Sequence, residues 1–468
     1  MRSSREIFVR CASLLCVAFI AHYSCDASTV FLKNPTTAQA LTDAIASAQS
    51  GDTIIVDGGT LSGNVRITKR LAIIGRNSPR IIGSGKGSVV TILADSCIIR
   101  GFHISRCGKM LVEEDAGILI KSGGNRIEHN TLDDILFGIY FLTSNDNVAR
   151  NNIVRGRAHL EVGERGSGIH IWNSHRNNFF GNIISDVRDG FYIQNANHMR
   201  VEDNEVHHVR YGIHYMYADS NVFLNNKFYD NVAGAAIMYS HHILIRRNEF
   251  VRNRGFASYG ILYQDCTHSI TDSNIIADNV IGIFMEATRD NIIRHNIIAQ
   301  NDAALQMFQN STNNLIVENN FIDNLNPLVI IGKETRTRWN ANGRGNYWSH
   351  YDGYDLDGDR IGDVPMKIQN VFQYLEGRNE NLRLFFYSPV SQALAAATKA
   401  FPIIAINQEI DPRPLMDPID LRVVLRSSLS QRESQRRNGA PFASVWYIAL
   451  VAGFAAIGFG YFYKSRKG

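Results

Sequence analysis

Five residues in the middle of this chain carry its most distinctive donor chemistry: His170, His214, Met216, Met238 and His241. Neutral imidazole with thioether sulfur is a soft ligand set, which suits copper and Cu(I) above all. A second group is made of carboxylates. Asp355, Asp357, Asp359 and Asp363 occupy positions 1, 3, 5 and 9 of a calcium-type loop, but Arg360 stands where such a loop has its glycine and Met366 where it has its last acid. That run reads either as a calcium site or as a turn closed by its own hydrogen bonds. The soft residues also have two readings, a copper site or a groove of adaptable side chains facing a partner or a sugar. Both require a scaffold that brings residues distant in sequence onto one face.

A repeat supplies that scaffold. Between residues 168 and 322 a small residue followed by an apolar one recurs at Gly168-Ile169, Gly190-Phe191, Gly212-Ile213, Ala236-Ile237, Gly260-Ile261, Gly282-Ile283 and Ala304-Leu305, in steps of 22 or 24. An asparagine marks each unit: Asn182, Asn204, Asn226, Asn248, Asn274, Asn296 and Asn320. A constant period of this size means stacked units. Positions one and three after each opening are apolar or aromatic, a period-2 pattern that predicts a strand with one buried face. No helical pattern interrupts the units, and a propeller would need a period nearer 40. The expected fold is therefore all-β: a right-handed parallel β-helix, one coil per unit, with strands of successive coils about 4.8 Å apart. The asparagines fit a turn, where Asn tolerates left-handed geometry and can bond along its own ladder.

On this register the outward row two after each opening is His170, Tyr192, His214, Met238, Leu262, Phe284 and Gln306. The row four after is Trp172, Gln194, Met216, Ser240, Gln264, Glu286 and Phe308. His214, Met216 and Met238 become near neighbours, with His170 two coils away, roughly 10 Å. His241 and His242 end the same strand, with Cys266 and His268 one coil on.

The flanks give the domain plan. Arg2, Arg5 and Arg10 precede an apolar run from Cys11 to Ala21, which predicts a secretory leader over 1–27 and a periplasmic protein in a cell with two membranes. Residues 28–50 form an N-terminal cap with a short amphipathic helix from Thr36 to Gln49, and 51–340 the β-helix, whose loop around Arg155 to Arg165 is expanded. An extension over 341–426 carries the Asp-rich loop and a Pro-rich tail, and 427–441 is a linker. Phe442 to Tyr463 holds no charge over 22 residues and predicts a transmembrane helix in the inner membrane, with 464–468 as a cytoplasmic tail. Cys97, Cys107 and Cys266 remain after export and read as buried thiols, with a disulfide or metal role as the alternative. A net charge of +4 implies no nucleic-acid partner. Catalysis on polysaccharides by a lyase, hydrolase or epimerase needs clustered acids and a base, whereas the outward face offers Glu286 with Asp265 nearby. The leading expectation is not an enzyme, with a carbohydrate-active β-helix or a surface-binding solenoid as the alternatives.

The repeat, together with Asn346-Tyr347-Trp348-Ser349, Asp363-Val364-Pro365 and Asp411-Pro412-Arg413-Pro414-Leu415, resembles the NosD family over about residues 28 to 420. The resemblance implies a periplasmic accessory protein that matures nitrous-oxide reductase, helping to deliver copper, with sulfur, to its copper-sulfide centre. It also implies work with a membrane ABC-type ATPase and permease, and with a copper donor lipoprotein. It assigns no individual ligand.

Overall fold

The computed structural model describes residues 27–255, 258–332, 335–368, 393 and 409–420. Their strands wind into a right-handed parallel β-helix of about 14 turns. The coils form three parallel sheets of 13, 12 and 13 strands among the described residues, every strand pairing with its counterpart one coil away. Within the repeat each coil gives one strand to each sheet, for instance Tyr211–Met216, Val222–Leu224 and Lys227–Tyr229. Alternation drives this arrangement. Inward residues such as Ile213, Tyr215, Phe223 and Phe228 have no exposed surface, while their neighbours face out. Burying each such side chain is worth about 1.5–3 kcal/mol. Tyr215 and Tyr263 are buried without waste of a hydroxyl, reaching the Ala218 carbonyl at 2.5 Å and Thr271 at 2.6 Å.

At the N-terminus the strand Thr29–Lys33 pairs with Thr53–Asp57, and the helix Ala38–Ser47 lays Ala38, Leu41, Ala44 and Ile45 over the first coils. Residues 1–26 of the leader expected over 1–27, the segment 369–392 and the span expected over 442–463 lie outside the described residues. Among the described residues no helix is long and apolar enough to cross a membrane.

The register corrects the sequence reading in one coil. Ile213 pairs with Ala235, His214 with Ala236, Tyr215 with Ile237 and Met216 with Met238. The opening glycine of that coil is therefore Gly234, not Ala236. Neither Gly212 nor Gly234 has room for a side chain: a Cβ on Gly212 would stand 2.4 Å from the Gly234 carbonyl oxygen, and one on Gly234 2.5 Å from that of Gly260. As a consequence Tyr239 is exposed rather than inward, and Ser240 is buried rather than outward.

The asparagines build the coil-to-coil bond. Asn130, Asn152, Asn182, Asn204, Asn226, Asn248, Asn274, Asn296, Asn319 and Asn346 form one unbroken buried ladder. In each step one side-chain oxygen accepts both the main-chain N–H and the side-chain amide of the asparagine one coil before. Asn204 thus donates to Asn226 Oδ1 at 3.0 and 2.9 Å, and Asn226 Nδ2 also reaches the Val201 carbonyl at 2.9 Å. The ladder runs through Asn319, while Asn320 faces out and binds Ile419. The left-handed residue is not the ladder asparagine but the one before it, such as Gly181, Asp203, Asn225 or Arg247.

At the last coil the ladder ends on a carboxylate. Asp411 Oδ2 accepts the Asn346 main-chain N–H at 2.8 Å and the Trp348 indole N–H at 3.0 Å. Glu409 closes the adjoining corner, accepting from Thr335 at 2.8 Å and from the Trp339 indole at 2.8 Å. Burial pushes the Asp411 carboxyl up from its usual range, against the pull of the Trp348 and Asn346 donors.

Asn226→Ala would strand the main-chain N–H of Asn204 and remove the donor to the Val201 carbonyl. The expected loss is about 2–3 kcal/mol in denaturant unfolding, whereas Asn178→Ala, whose exposed amide makes a 3.5 Å contact to the Arg176 carbonyl, changes stability by no more than about 0.5 kcal/mol. Equal effects at the two positions would rule out the ladder as the source of coil cohesion.

Candidate functional site

The outer face of the twelve-stranded sheet carries its chemistry in three columns. The first precedes the opening glycines and includes Ser167, Asp189 and Tyr211. The second is Tyr140, His170, Tyr192, His214 and Ala236. The third is Trp172, Gln194, Met216, Met238, Gln264 and Glu286.

The first two columns are closed. The segment 106–115 and the expanded loop 156–166 flank them, and Arg157 ties the two together by donating to the Cys107 and Gly108 carbonyls at 2.9 and 3.0 Å and to Asp134 at 3.0 Å. Tyr140 donates to Glu114 at 2.8 Å from the first of these loops. His170 belongs to an outward row, yet it is only 4 % exposed. Its ring stacks on Tyr192 at 4.5 Å and meets the edges of Tyr140 and Phe137 at 4.5 and 5.3 Å. Neither ring nitrogen has a hydrogen-bond partner, and the buried Ser167 hydroxyl has none. Burial, reinforced by the positive Arg188, pushes the His170 pKa down to about 3, so the ring is neutral.

Asp189 has no exposed surface. Burial raises the cost of its charge, but hydrogen bonds from His214 and Arg210 win and hold its pKa below the ordinary carboxylate range. Arg210 donates twice, at 2.9 and 2.8 Å, and His214 Nδ1 lies at 3.2 Å. His214 is further enclosed by Tyr192 and Tyr211 at 4.9 and 5.3 Å, with the Arg210 guanidinium over the Tyr211 ring at 4.4 Å. The sequence reading missed this cluster because it followed the columns after each glycine and ignored the one before it, where Asp189 stands.

The third column is open. Met216 and Met238 are register partners, both half-buried. Beside them Tyr217 and Tyr239 stack at 5.0 Å with their planes 11° apart, and both are exposed. The pairing expected between His214 and Met238 is replaced by Met216 with Met238, and His214 lies opposite Ala236. His214 still shares a strand and a face with Met216, two residues away, but its Nδ1 is engaged by Asp189. His170 stands two coils from His214 with the Tyr192 ring between them. His241 is exposed at the end of the Met238 strand, its Nδ1 2.7 Å from Thr267 Oγ1. The five soft residues therefore do not converge on one point, and Met216 with Met238 is the pair that the fold brings together.

The carboxylate oxygens of Asp355, Asp357 and Asp359 do come together, within 4.8 Å. They already accept main-chain N–H groups: Gly358 and Arg360 donate to Asp355 at 2.7 and 2.8 Å, and Ile361 to Asp359 at 2.7 Å. Asp363 accepts from Leu356 at 2.7 Å and closes the loop. Such a loop holds itself by turn hydrogen bonds. Cys97, Cys107 and Cys266 are buried free thiols, and burial pushes all three upward, Cys266 to about 12. They are neither nucleophiles nor ready ligands.

The family described as "Periplasmic copper-binding protein (NosD)" matches residues 151–353. A protein of Pseudomonas aeruginosa named "Probable ABC transporter binding protein NosD" is 28% identical over 76% of this chain and 86% of its own length. One of the same name from Stutzerimonas stutzeri is 27% identical over 72% of this chain and 80% of its own length. Over residues 151–353 the chain is similar to the NosD family. Among solved structures, the A-modules of the mannuronan C-5 epimerases AlgE6 and AlgE4 of Azotobacter vinelandii superpose with a TM-score of 0.54 each, at 14% and 12% identity. They cover 64% and 67% of this chain and 92% and 100% of their own, a likeness of fold alone. The NosD match spans both the closed His170–Asp189 cluster and the open Met216–Met238 pair.

The buried imidazole has a measurable consequence. Unfolding restores an ordinary His pKa near 6.5, so below that pH the unfolded chain takes up a proton that folded His170 refuses. Stability contributed at neutral pH is therefore lost as pH falls from about 6.5 toward 3. His170→Phe keeps the ring stack and removes the titration. Between pH 7 and pH 5 the variant is expected to lose about 2 kcal/mol less than the parent in thermal or denaturant unfolding, and identical pH profiles would show that His170 is not held neutral.

Proposed function

We propose that this protein is the periplasmic, non-enzymatic binding component of an ABC-type system that helps deliver copper to the copper-sulfide centre of a nitrous-oxide reductase. The membrane partners in this reading are the ATPase and permease of that system, and a copper donor lipoprotein supplies the metal. Export by the 1–27 leader and anchoring through 442–463 would hold the β-helix at the outer surface of the inner membrane. The family description and the names of both relatives support the copper and transporter parts of the reading. The chemistry of the face supports it independently. Met216 and Met238 are adjacent thioethers in register on an open column, with aromatic neighbours and no carboxylate between them. Two thioethers favour Cu(I) over harder ions. His214, tied to Asp189, and His170, enclosed by rings, serve the architecture of the face and not the metal. Asp355, Asp357, Asp359 and Asp363 act as a structural turn.

The observation that carries the reading is the Met216–Met238 pairing. Competition of the purified full-length protein with a chromophoric Cu(I) chelator should give one tightly held Cu(I). Met216→Leu with Met238→Leu, which keeps volume and apolarity, should weaken it at least ten-fold, while His170→Phe should leave it unchanged. Unaltered Cu(I) affinity in the double variant would remove the pair from the mechanism. Turnover of an oligosaccharide by the parent would replace the reading with a carbohydrate-active one.

A further inference from the structure

One corner of the β-helix gathers histidines that neither the ladder nor the methionine column uses. The strands Ala233–His241 and Tyr259–Thr267 are nine residues long, against four to six for the neighbouring strands of the same sheet. They carry the sheet to its edge, where His241 pairs with Thr267. The residues immediately after them are His242 and His268. The His242 main-chain N–H donates to the Thr267 carbonyl at 3.2 Å, which sets His242 and His268 at the same corner of successive coils. Both have left-handed backbone, φ 56° and 53°, and both are exposed.

We propose that His242 and His268 form a binding site for a divalent first-row cation that prefers imidazole, such as Cu(II) or Zn(II). Their ring centroids are 5.4 Å apart with planes tilted by 36°. With metal–nitrogen bonds of about 2.0–2.1 Å and a ring radius of roughly 1.2 Å, two imidazoles on one ion at a near-tetrahedral angle have centroids about 5.3 Å apart. The pair therefore needs little movement to share an ion. Thr267 provides the support that metal-binding imidazoles commonly have. Its hydroxyl lies 3.0 Å from His268 Nδ1 and 2.7 Å from His241 Nδ1, which leaves Nε2 of each ring as the outward nitrogen. His241 is thus a third imidazole at the same corner. His103 and His295 are tied to carboxylates instead: His103 meets Asp133, and His295 meets Asp272 and Glu318. The site differs in chemistry from the thioether pair, lies just beyond the end of the Met238 strand, and stands whether or not Met216 and Met238 hold copper.

The test uses untagged full-length protein in a non-coordinating buffer, with Zn(II) alone in equilibrium dialysis and Cu(II) alone in electron paramagnetic resonance. The expected result is one ion per chain, with nitrogen hyperfine structure from at least two imidazoles. His242→Ala and His268→Ala should each weaken binding at least ten-fold, and circular dichroism should show an intact fold, since both side chains face solvent. His198→Ala, at the same corner of an earlier coil, and the Met216→Leu/Met238→Leu pair should leave binding as it was. Absence of divalent binding in the parent, or undiminished binding in both histidine variants, overturns the proposal without touching the Cu(I) result. Loss of divalent binding only in the methionine variant overturns it as well, by moving the ion to the thioether face.

Discussion

Cohesion of this molecule rests on the buried amide of asparagine. A parallel coil leaves a main-chain N–H at each corner that no sheet can satisfy, and an unsatisfied buried donor costs more than an ordinary hydrogen bond gains. The asparagine side chain answers with one oxygen that takes two donors and one amide that supplies them, so each coil completes its neighbour. Aspartate could not do this along the run, because it offers no donor. At the last step the requirement reverses, since no further coil needs a donor, and there a carboxylate, Asp411, takes the place. The segments Asn346-Tyr347-Trp348-Ser349 and Asp411-Pro412-Arg413-Pro414, distant in sequence, are thus two halves of one closure.

Once coil height is fixed, side chains of successive coils have no choice of neighbour. The face then divides by what covers it. Where the loops 106–115 and 156–166 flank the sheet, polar groups are enclosed: Asp189 keeps its charge through Arg210, and His170 stays neutral among rings. Where no loop intervenes, the thioethers of Met216 and Met238 and the rings of Tyr217 and Tyr239 remain accessible. A fold shared with mannuronan epimerases therefore says little about chemistry. The outward columns and the loops decide it.

Much of the architecture was legible because its two physical demands leave letters in the sequence. Close carbonyl approach demands glycine at most openings, and the corner demands asparagine. The reading slipped where these letters were ambiguous. Ala-Gly-Ala-Ala at 233–236 offers two small-apolar openings two residues apart, and only the backbone contact of Gly234 with Gly260 decides between them. With Gly234 as the opening, Met216 and not His214 stands beside Met238. Asn319 and Asn320 are likewise adjacent, and only one can turn inward. The enclosure of His170 had no local signal at all, because it depends on aromatic residues contributed by neighbouring coils and on loops whose path periodicity does not encode.

The Asp411 closure also imposes an order on how the chain can mature. Coils depend only on their neighbours, so winding can proceed from the amino-terminal helix as each unit emerges. The final coil is different. Its exposed strand edges and indoles stay uncovered until some sixty further residues have been made, because the group that seals them lies at the far end of that stretch. A solenoid built this way is vectorial, with one end sealed at once and the other briefly open to adhesion by foreign strands. Truncation anywhere between Trp348 and Asp411 would leave that end permanently unsealed.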